Sequence, residues 1–456
     1  MRVYLEFLGC RLNEAELSNW KRQFLNYSST KIKMPNDTFL SNPVQNPVQI
    51  VQNPEDADVI TLNTCAVTGE ASKKSRRRIR SLQKANPQAK TVVTGCYATL
   101  EPQKLSRDLE VDLIVPNKDK DLLPQKIMER WSDLSMPYSA TLPEAQPALA
   151  HSRTRAFVKV QDGCRNRCSF CIVTKARGEE ISRPVHEIIE EINYLHDLGY
   201  QEVVLTGVHL GGYGSDIHTS LFQLITTVLS NTSVPRVRLG SLEPWDLEEN
   251  FFTLWDNKRL CTHLHLPLQS GSDSVLKRMI RRCTVKNYKK LIQQAKEISP
   301  LFHISTDLII GFPGESEQEF SETMETIQDI PFGDMHLFTY SPREGTAAMR
   351  LPNHVSKNIK RERHQKIKDI AQRKYEDFVR LFDDQIQNVL WERDADLIST
   401  TSSNPAATHD STVYLWKGYT TSYIRVQTQS SRILFNQVTP TKLQWNKEGL
   451  DGIISS

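Results

Sequence analysis

Runs of apolar and β-branched residues alternate with helical patterns in two separate blocks of the sequence, and this alternation restricts the fold more than any other feature. Strands that alternate with helices form parallel sheets covered by helices. In the first block, residues 1–131, helical stretches separate four strand candidates: RVYLEFLG, DVITLNTC, TVVTGC and VDLIVP. We therefore predict a flavodoxin-like α/β domain over residues 1–131. A polar stretch around residues 28–54, rich in Pro, Asn and Gln, indicates a surface loop within it.

The second block, residues 153–382, repeats the alternation with five strand candidates: FVKVQ, EVVLTG, RVRLGS, HLHLPL and STDLIIGF. Five or more such units fit a partial (β/α) barrel. Prolines and small residues at 132–152 predict a linker between the two blocks. The last segment, residues 383–456, contains the short strand candidates VYLWKG, SYIRVQT and RILFNQV. These predict a small C-terminal all-β barrel.

Composition excludes several classes of protein. The net charge is only +3 over 456 residues, which does not indicate a protein whose whole surface binds nucleic acid. Any binding of nucleic acid must come from local basic clusters. No apolar run approaches the length that spans a bilayer, and the N-terminus becomes polar too early for a secretory signal. We therefore expect a cytoplasmic protein with no membrane partner. Its eight cysteines then argue against a disulfide framework.

Three of the cysteines lie in one short run, GCRNRCSFCIV, with the spacing C-x3-C-x2-C. A [4Fe–4S] cluster usually takes four thiolates, so ligation by Cys164, Cys168 and Cys171 alone leaves one iron open. That iron can chelate the amino and carboxylate groups of S-adenosylmethionine (SAM), and an electron from the cluster can then cleave SAM to a radical. Phe170 stands where an aromatic ring can pack against the adenine of SAM.

Two alternatives to an iron–sulfur site remain at this point. One is a zinc site, although zinc sites more often use two paired C-x2–4-C elements, and neither a second pair nor a nearby histidine follows this run. The other is three buried thiols placed by chance. The compact triple spacing directly after a strand favours the cluster over both.

The run DGCRNRCSFCIV resembles the signature loop of the radical SAM superfamily. Further segments in the same order along nearly the whole chain resemble the methylthiotransferase family: LGCRLNEAE, NTCAVT, VTGCYA, FVKVQDGC, LTGVHLGGYG, HLHLPLQSGSD, TDLIIGFPGE and YSPREGTAAM. VHLGGYG, SLEPWD and HLHLPLQSG are most similar to the branch that acts on N6-threonylcarbamoyladenosine in tRNA. Three features depart from the family pattern: Thr174 in place of a frequent proline, the acidic stretch GEEISRP, and the long polar insertion.

A second set of cysteines, Cys10, Cys65 and Cys96, falls at the carboxyl ends of predicted strands. These ends share one edge of a parallel sheet, so distant residues converge there. From position alone, three ordinary buried thiols are an equally good interpretation. The resemblance implies that the three bind an auxiliary [4Fe–4S] cluster involved in sulfur delivery. Cys261 and Cys283 have no partners at ligand spacing and are predicted to be structural.

Several residues at strand ends are candidates for binding SAM, which carries a carboxylate, an ammonium group and a ribose diol. Gly207 permits close backbone approach after a strand, and Glu243 can accept a hydrogen bond from the ribose or amino group. Gln269 ends the HLHLPL strand, and Arg281 can pair with the SAM carboxylate. Each of these residues could equally be a strand-end cap or part of an exposed salt bridge.

The resemblance implies a tRNA-modifying enzyme with two [4Fe–4S] clusters and SAM as cofactors. The expected partners are the tRNA anticodon stem-loop, an electron donor protein and a sulfur source. The basic run Lys73–Arg80 and a TRAM-like C-terminal barrel are candidate RNA contacts, although helical spacing spreads the charges of that run around the helix. The alternatives are methylthiolation of isopentenyl-adenosine in tRNA, methylthiolation of a ribosomal protein aspartate, and a non-catalytic iron–sulfur RNA-binding protein.

Overall fold

The structure is a computed structural model that describes residues 1–27, 48–131, 154–393, 396–400, 412–446 and 449–454. The predicted linker at 132–152 and most of the polar stretch at 28–54 therefore lie outside the described residues. Among the described helices, none has the length and apolar character that crossing a bilayer requires.

The N-terminal part contains a five-stranded parallel sheet in the order β2-β1-β3-β4-β5, which is the flavodoxin-like strand order. Its strands are β1 (Arg2–Phe7), β2 (Gln49–Val51), β3 (Val59–Thr64), β4 (Lys90–Gly95) and β5 (Leu113–Val115). The helices that cover it are α1 (Arg11–Tyr27), α2 (Gly69–Ala85), α3 (Cys96–Leu100), α4 (Pro102–Asp108) and α5 (Leu123–Arg130).

Both faces of this sheet are buried. Trp20, Phe24 and Ile127 pack against one face, while Ile79 and Tyr97 pack in the cluster on the other. All six residues of β3 are consequently buried, as expected for a central parallel strand. The short edge strand β2 pairs with β1 inside the stretch that we interpreted as a loop, so that interpretation is wrong for residues 49–51.

The central part is an open barrel of parallel strands. Its strands are β6 (Arg155–Lys159), β9 (Glu202–Thr206), β10 (Arg236–Leu239), β11 (His263–His265), β12 (His303–Ile310) and β13 (Asp334–Thr339), and the short strands β7 (Gln161–Asp162) and β8 (Ile181–Ser182) pair beside them. Two three-stranded sheets, β10-β9-β6 and β11-β12-β13, are connected by isolated bridges between residues 237 and 260 and between residues 241 and 265.

Helices surround this barrel and bury the apolar side chains of its strands in one large core. They are α7 (Val185–Asp197), α8 (Leu221–Asn231), α9 (Asp273–Arg278), α10 (Val285–Ile298), α11 (Glu317–Asp329) and α12 (Lys357–Arg380). The short helix α6 (Val173–Arg177) packs instead through Ala176 against the N-terminal part. The partial (β/α) barrel is thereby confirmed. Strand β13 was not among the candidates, because polar residues alternate along it at the edge of the sheet.

The C-terminal part is a small closed β-barrel, as predicted. Its strands are β14 (Ile386–Trp391), β15 (Asp396–Thr400), β16 (Thr412–Tyr419), β17 (Arg425–Ser430), β18 (Val438–Asn446) and β19 (Gly449–Ile454). Five of them run in the order β14-β18-β19-β17-β16, and the pairing of β14 with the end of β16 closes the ring. β15 pairs with the first half of β16, on the edge that β17 does not occupy. The candidate strand RILFNQV is wrong: residues 431–437 form turns, and only Val438 begins a strand.

A buried group of charges lies inside the amino-terminal end of the central barrel. Glu202 is fully buried and accepts hydrogen bonds from the guanidinium of Arg238, and Arg236 pairs with the same carboxylate at 2.8 Å. Burial alone raises the pKa of Glu202, but Arg238 and Arg236 outweigh it and lower that pKa to about 2. The two arginines also donate to the carbonyl oxygens of Tyr419, Thr420 and Thr421 in the C-terminal barrel.

We predict that Glu202→Gln destabilises the protein by about 3–5 kcal/mol at neutral pH, because it leaves two buried guanidinium groups without their counter-charge. The measurement is urea unfolding followed by circular dichroism, with the exposed Glu325→Gln as matched control. The folded-state pKa lies below the ordinary 4.5, so the stabilisation is fully present above pH 4.5 and is lost as pH falls through about 2. Equal stability of the two variants at pH 7 would contradict the prediction.

Candidate active site

The loop between β7 and α6 carries Cys164, Cys168 and Cys171 at the carboxyl side of β6. The amide of Cys164 donates to the carbonyl of Gly178, and the amide of Cys171 donates to the carbonyl of Cys168, both at 3.0 Å. Burial, with a smaller contribution from the neighbouring thiols, raises the pKa of Cys164 to about 12 and that of Cys171 to about 11. Bound metal would replace those protons, because the thiolate is the ligand.

The arrangement of the thiols does not suit a single metal ion. With bonds of about 2.3 Å, a tetrahedral zinc ion holds its sulfur ligands roughly 3.8 Å apart. Within the described part of the chain, two groups bring three ligand atoms within 4.8 Å of one another, and neither contains three cysteines. Thiolate donors at wider spacing fit an iron–sulfur cluster, whose irons each take a separate cysteine.

The cysteine loop is anchored to α9 and to the segment after β13. Ser169 donates its hydroxyl hydrogen to the carbonyl of Arg278 at 2.8 Å, and its own carbonyl accepts from the amide of Ala348 at 2.7 Å. Phe170 is half-buried and packs against the apolar group that contains Met279 and Phe312. The ring therefore lies in an apolar environment, and contact with the adenine of SAM stays a prediction.

The structure brings Glu243 and Arg281 together beside Cys168. The guanidinium of Arg281 forms two contacts with the Glu243 carboxylate, at 2.9 and 2.6 Å, and its Nη1 atom lies 3.9 Å from the Cys168 sulfur. The same guanidinium lies 4.4 Å from the centre of the Trp245 ring. Both proposed SAM contacts are thus adjacent to a cluster ligand, but in this structure each is paired with the other.

Gly207 and Gln269 have local structural roles. A Cβ atom on Gly207 would lie 2.9 Å from Oε1 of Gln161, the side chain that donates to the carbonyl of Gly163 at the start of the cysteine loop. Gln269 has a left-handed backbone (φ +74°) and continues the pairing with β12 through hydrogen bonds with Asp307 and Ile309. Their predicted contacts with SAM stay predictions.

Sequence reasoning missed a buried histidine next to the cysteine loop. Both ring nitrogens of His209 are hydrogen-bonded to carboxylates, one to Glu180 and the other to Asp246. Burial lowers the pKa of His209, but the two carboxylates outweigh it and raise the pKa overall. Ligand atoms of Cys164, Glu180 and His209 lie within 4.8 Å of one another. The motifs VHLGGYG and GEEISRP contain His209 and Glu180, but nothing in their spacing indicated this contact.

The second set of cysteines converges at the carboxyl edge of the N-terminal sheet. Cys10 precedes α1, Cys65 follows β3, and Cys96 begins α3 after β4. Burial raises the pKa of the Cys65 thiol, and the nearby thiols of Cys96 and Cys10 raise it further. Cys261 and Cys283 are both buried in the central part; Cys261 lies near Arg238 and Glu202, and Cys283 lies near Arg281.

Two glycines leave room for this second set of cysteines. Gly9 has φ +102°, and a Cβ atom there would lie 2.8 Å from the Cys65 sulfur. Gly95 has φ +94°, and a Cβ atom there would lie 2.3 Å from the carbonyl oxygen of Thr64. Any other residue at these positions would be strained and would collide with the strand ends that carry the cysteines.

The two cysteine sets lie on either side of one interface. The side-chain amide of Asn117 donates to the carbonyl of Ala176 at 2.7 Å and lies 3.7 Å from the Cys96 sulfur. Ala176 and Arg177 belong to α6, directly after the loop with Cys164, Cys168 and Cys171. Arg177 donates to Oδ1 of Asn13 at 2.7 Å, and the same oxygen lies 3.7 Å from the Cys10 sulfur. A single short helix thus contacts the surroundings of both cysteine sets.

Comparisons with known proteins agree with this architecture. Residues 158–327 match the radical SAM superfamily, and residues 36–116 match a family described as "Uncharacterized protein family UPF0004". Threonylcarbamoyladenosine tRNA methylthiotransferase MtaB of Bacillus subtilis is 32% identical over 401 residues, which cover 85% of this chain and 86% of that protein. The chain belongs to the radical SAM methylthiotransferase family. As a radical SAM protein, it uses SAM and a [4Fe–4S] cluster.

Other relatives of this methylthiotransferase carry names with a different substrate. A tRNA-2-methylthio-N(6)-dimethylallyladenosine synthase from Thermodesulfovibrio yellowstonii is 33% identical over 370 residues, which cover 79% of this chain and 81% of that protein. Among solved structures, the radical SAM methyltransferase TsrM of Kitasatospora setae has a TM-score of 0.52 at 12% identity, with 76% of this chain and 74% of that chain covered. This similarity supports the fold alone.

We predict that replacing Cys164, Cys168 and Cys171 together with alanine removes about four iron atoms per chain, because one cubane loses its ligands. Iron is measured by mass spectrometry after anaerobic reconstitution. Cys261→Ala serves as the matched control and is expected to retain the full iron content. Retention of all iron by the triple variant would show that these thiols hold no cluster.

Proposed function

We propose that this methylthiotransferase converts N6-threonylcarbamoyladenosine, beside the anticodon of tRNA, to its 2-methylthio derivative. The observation that carries the proposal is the position of the two cysteine sets on either side of one interface, in contact through α6 and Asn117. Methylthiolation needs removal of an unreactive hydrogen and delivery of sulfur to the same carbon. Two neighbouring thiolate sites allow one site to serve hydrogen removal and the other to serve sulfur delivery.

Cys164, Cys168 and Cys171 would hold the cluster that works with SAM. When bound there, the cluster and SAM supply a radical that removes the hydrogen from C2 of the adenine, which ordinary bases cannot do. Three thiolates would leave one iron of the cluster without a protein ligand, and the amino and carboxylate groups of SAM would bind to that iron. Arg281, held in place by Glu243, provides a positive charge next to Cys168.

A second [4Fe–4S] cluster would be held by Cys10, Cys65 and Cys96. This cluster would take part in the delivery of sulfur to the substrate. Gly9 leaves room for the Cys65 side chain, and Gly95, directly before Cys96, lets that strand end lie close to Thr64. Both glycines support this assignment. Asn13 and Asn117 lie 3.7 Å from two of the three sulfurs and orient the site through hydrogen bonds. An electron donor and a sulfur source remain necessary partners of the reaction.

A basic surface next to these sites supports tRNA as the substrate. On α2, Ser72, Ser75, Ile79 and Leu82 face the sheet, so the charges of the basic run are not spread evenly around the helix. The opposite side of α2 carries the exposed cations Lys73, Lys74, Arg77 and Arg80. The start of α2 contacts the loop after β13, because Arg343 donates to the hydroxyl of Ser72 at 3.0 Å. Clustered exposed cations of this kind bind phosphates.

Two tryptophans of the C-terminal barrel are not available for stacking on RNA bases. Trp391 and Trp416 are buried in the barrel core, and the indole N–H of Trp391 donates to the hydroxyl of Thr439 at 2.8 Å. These two tryptophans therefore stabilise the barrel and do not stack on RNA bases. Tyr414 is only partly buried against the same core.

The test is expression of the chain in a bacterial strain that lacks its own tRNA methylthiotransferases, followed by mass spectrometry of nucleosides from total tRNA. We expect 2-methylthio-N6-threonylcarbamoyladenosine to appear with the wild type and to be absent with Cys168→Ala and with Cys65→Ala. Cys261→Ala, which alters neither set, should retain the product. Appearance of the 2-methylthio-isopentenyl nucleoside instead would overturn the substrate assignment, as would a methylthiolated aspartate found by mass spectrometry of ribosomal proteins from the same cells.

The second cluster is tested separately by iron content. We predict that replacing Cys10, Cys65 and Cys96 with alanine lowers iron from about eight to about four atoms per chain. Gly95→Ala should cause a partial loss of the same iron, because the new methyl group collides with the backbone before Cys65. Gly69→Ala is the matched control, since a Cβ atom there meets only an ordinary contact 3.8 Å away. Unchanged iron in the triple variant would exclude the second cluster.

A further inference from the structure

Three side chains of the kinds that ligate metals meet inside the central barrel. They are His265 on β11, Asp307 on β12 and His336 on β13, which are neighbouring strands. Nε2 of His265 lies 3.3 Å from Oδ1 of Asp307, and Nδ1 of His336 lies 3.2 Å from the same oxygen. One ligand atom from each of the three lies within 4.8 Å of the others.

The register of the sheet places these side chains on one face. Asp307 is directly opposite His336, and His265 is directly opposite Ser305, two residues before Asp307. Side chains alternate between the faces of a strand, so the intervening Leu264, Leu308 and Leu337 point the other way. Those three leucines pack into the core beneath the surrounding helices, which leaves the histidines and the aspartate on the inside of the barrel.

The observed distances match those between ligands of one metal ion. Imidazole nitrogens and carboxylate oxygens bind zinc at about 2.0–2.2 Å, which places neighbouring ligands roughly 3.0–3.5 Å apart in tetrahedral or octahedral geometry. The contacts of Asp307 with His265 and His336, at 3.3 and 3.2 Å, both fall in this range. The three side chains therefore need little movement to enclose an ion.

The remaining nitrogens of both imidazoles have partners of their own. Nδ1 of His265 lies 2.9 Å from the hydroxyl of Ser305, and Nε2 of His336 lies 3.4 Å from Oδ2 of Asp334. In metal sites, a histidine ligand commonly donates its second N–H to such a hydroxyl or carboxylate, which fixes the tautomer and the ring orientation. This second layer of contacts is already complete here.

The group is also accessible from solvent. The His336 side chain is 53% exposed on the edge strand β13, whereas Asp307 and His265 are 23% and 17% exposed. An ion can therefore enter from the open side of the barrel, and coordination positions on that side stay free for water or another oxygen ligand.

We propose that His265, Asp307 and His336 form a binding site for one divalent transition-metal ion, separate from the iron–sulfur sites. Two imidazoles and one carboxylate suit zinc, iron(II), cobalt or nickel, and suit magnesium or calcium poorly because those ions prefer all-oxygen ligands. The proposal does not depend on the proposed function, since none of its three ligands is a cysteine; the carbonyl of Asp307 accepts a hydrogen bond from the amide of Gln269, a residue predicted to contact SAM.

The test uses the reconstituted holoenzyme, in which clusters occupy their thiol ligands, with Zn²⁺ as the probe. After equilibrium dialysis, zinc and iron are counted together by mass spectrometry. We expect about one zinc per chain in the wild type without loss of iron. Asp307→Asn and His336→Ala should each weaken binding at least tenfold, whereas His186→Ala, which removes an exposed histidine on α7, should not.

X-ray absorption at the zinc edge provides a measurement that does not rely on variants. Nitrogen and oxygen neighbours at about 2.0 Å, with imidazole scattering and no sulfur, are expected. Sulfur neighbours would place the zinc at cysteines and overturn the proposal. Absence of stoichiometric zinc in the wild type, or equal zinc binding by the Asp307→Asn and His186→Ala variants at retained iron content, would overturn it as well.

Discussion

A buried group of charges between the N-terminal sheet and the central barrel determines how the two cysteine sets are placed. Arg177 donates to Glu16 at 2.9 Å and to Asp162 at 3.0 Å, and Lys120 pairs with Glu16 at 2.6 Å. Glu16 is fully buried, and Arg177 and Lys120 are nearly so. Burial alone raises the pKa of Glu16, yet the charges of Arg177 and Lys120 lower it, so the carboxylate stays ionised.

The members of this charge group flank the sites on both sides. Asp162 stands two residues before Cys164, and Arg177 six residues after Cys171, while Glu16 follows Cys10 on α1. Burial of charges is expensive unless every charge has its partners, and removal of one partner usually costs far more than an exposed pair contributes. These paired buried charges therefore hold the loop that carries Cys164, Cys168 and Cys171 beside the second set of thiols.

The C-terminal barrel completes the other end of the central barrel. The turn between β16 and β17 supplies backbone carbonyls to Arg236 and Arg238, and the carbonyl of Ser422 lies 2.8 Å from Nδ1 of His303. These contacts satisfy buried polar groups at the amino-terminal ends of the parallel strands. The cysteine loops lie at the opposite, carboxyl ends, so the RNA-binding candidate module stabilises the barrel without contacting the cysteines.

The local sequence pattern was sufficient to predict a large part of the fold. The alternation of strands and helices predicted the flavodoxin-like sheet and the partial barrel, because burial of both sheet faces requires long apolar runs. The spacing C-x3-C-x2-C predicted the first cluster, since one short loop carries all three thiols. Short or polar elements escaped this reasoning: β2 has three residues, β13 is an edge strand with alternating polar residues, and RILFNQV has strand composition but forms turns.

The tertiary structure alone decided which distant side chains meet. Nothing in the spacing of Glu243 and Arg281 indicated that they pair with each other, or that His209 lies between Glu180 and Asp246. The same holds for His265, Asp307 and His336, which come from three strands far apart in the chain. Periodicity along a chain reports which face of an element is buried, whereas contacts between elements depend on sheet order and register, and these are fixed only when the whole barrel closes around its core.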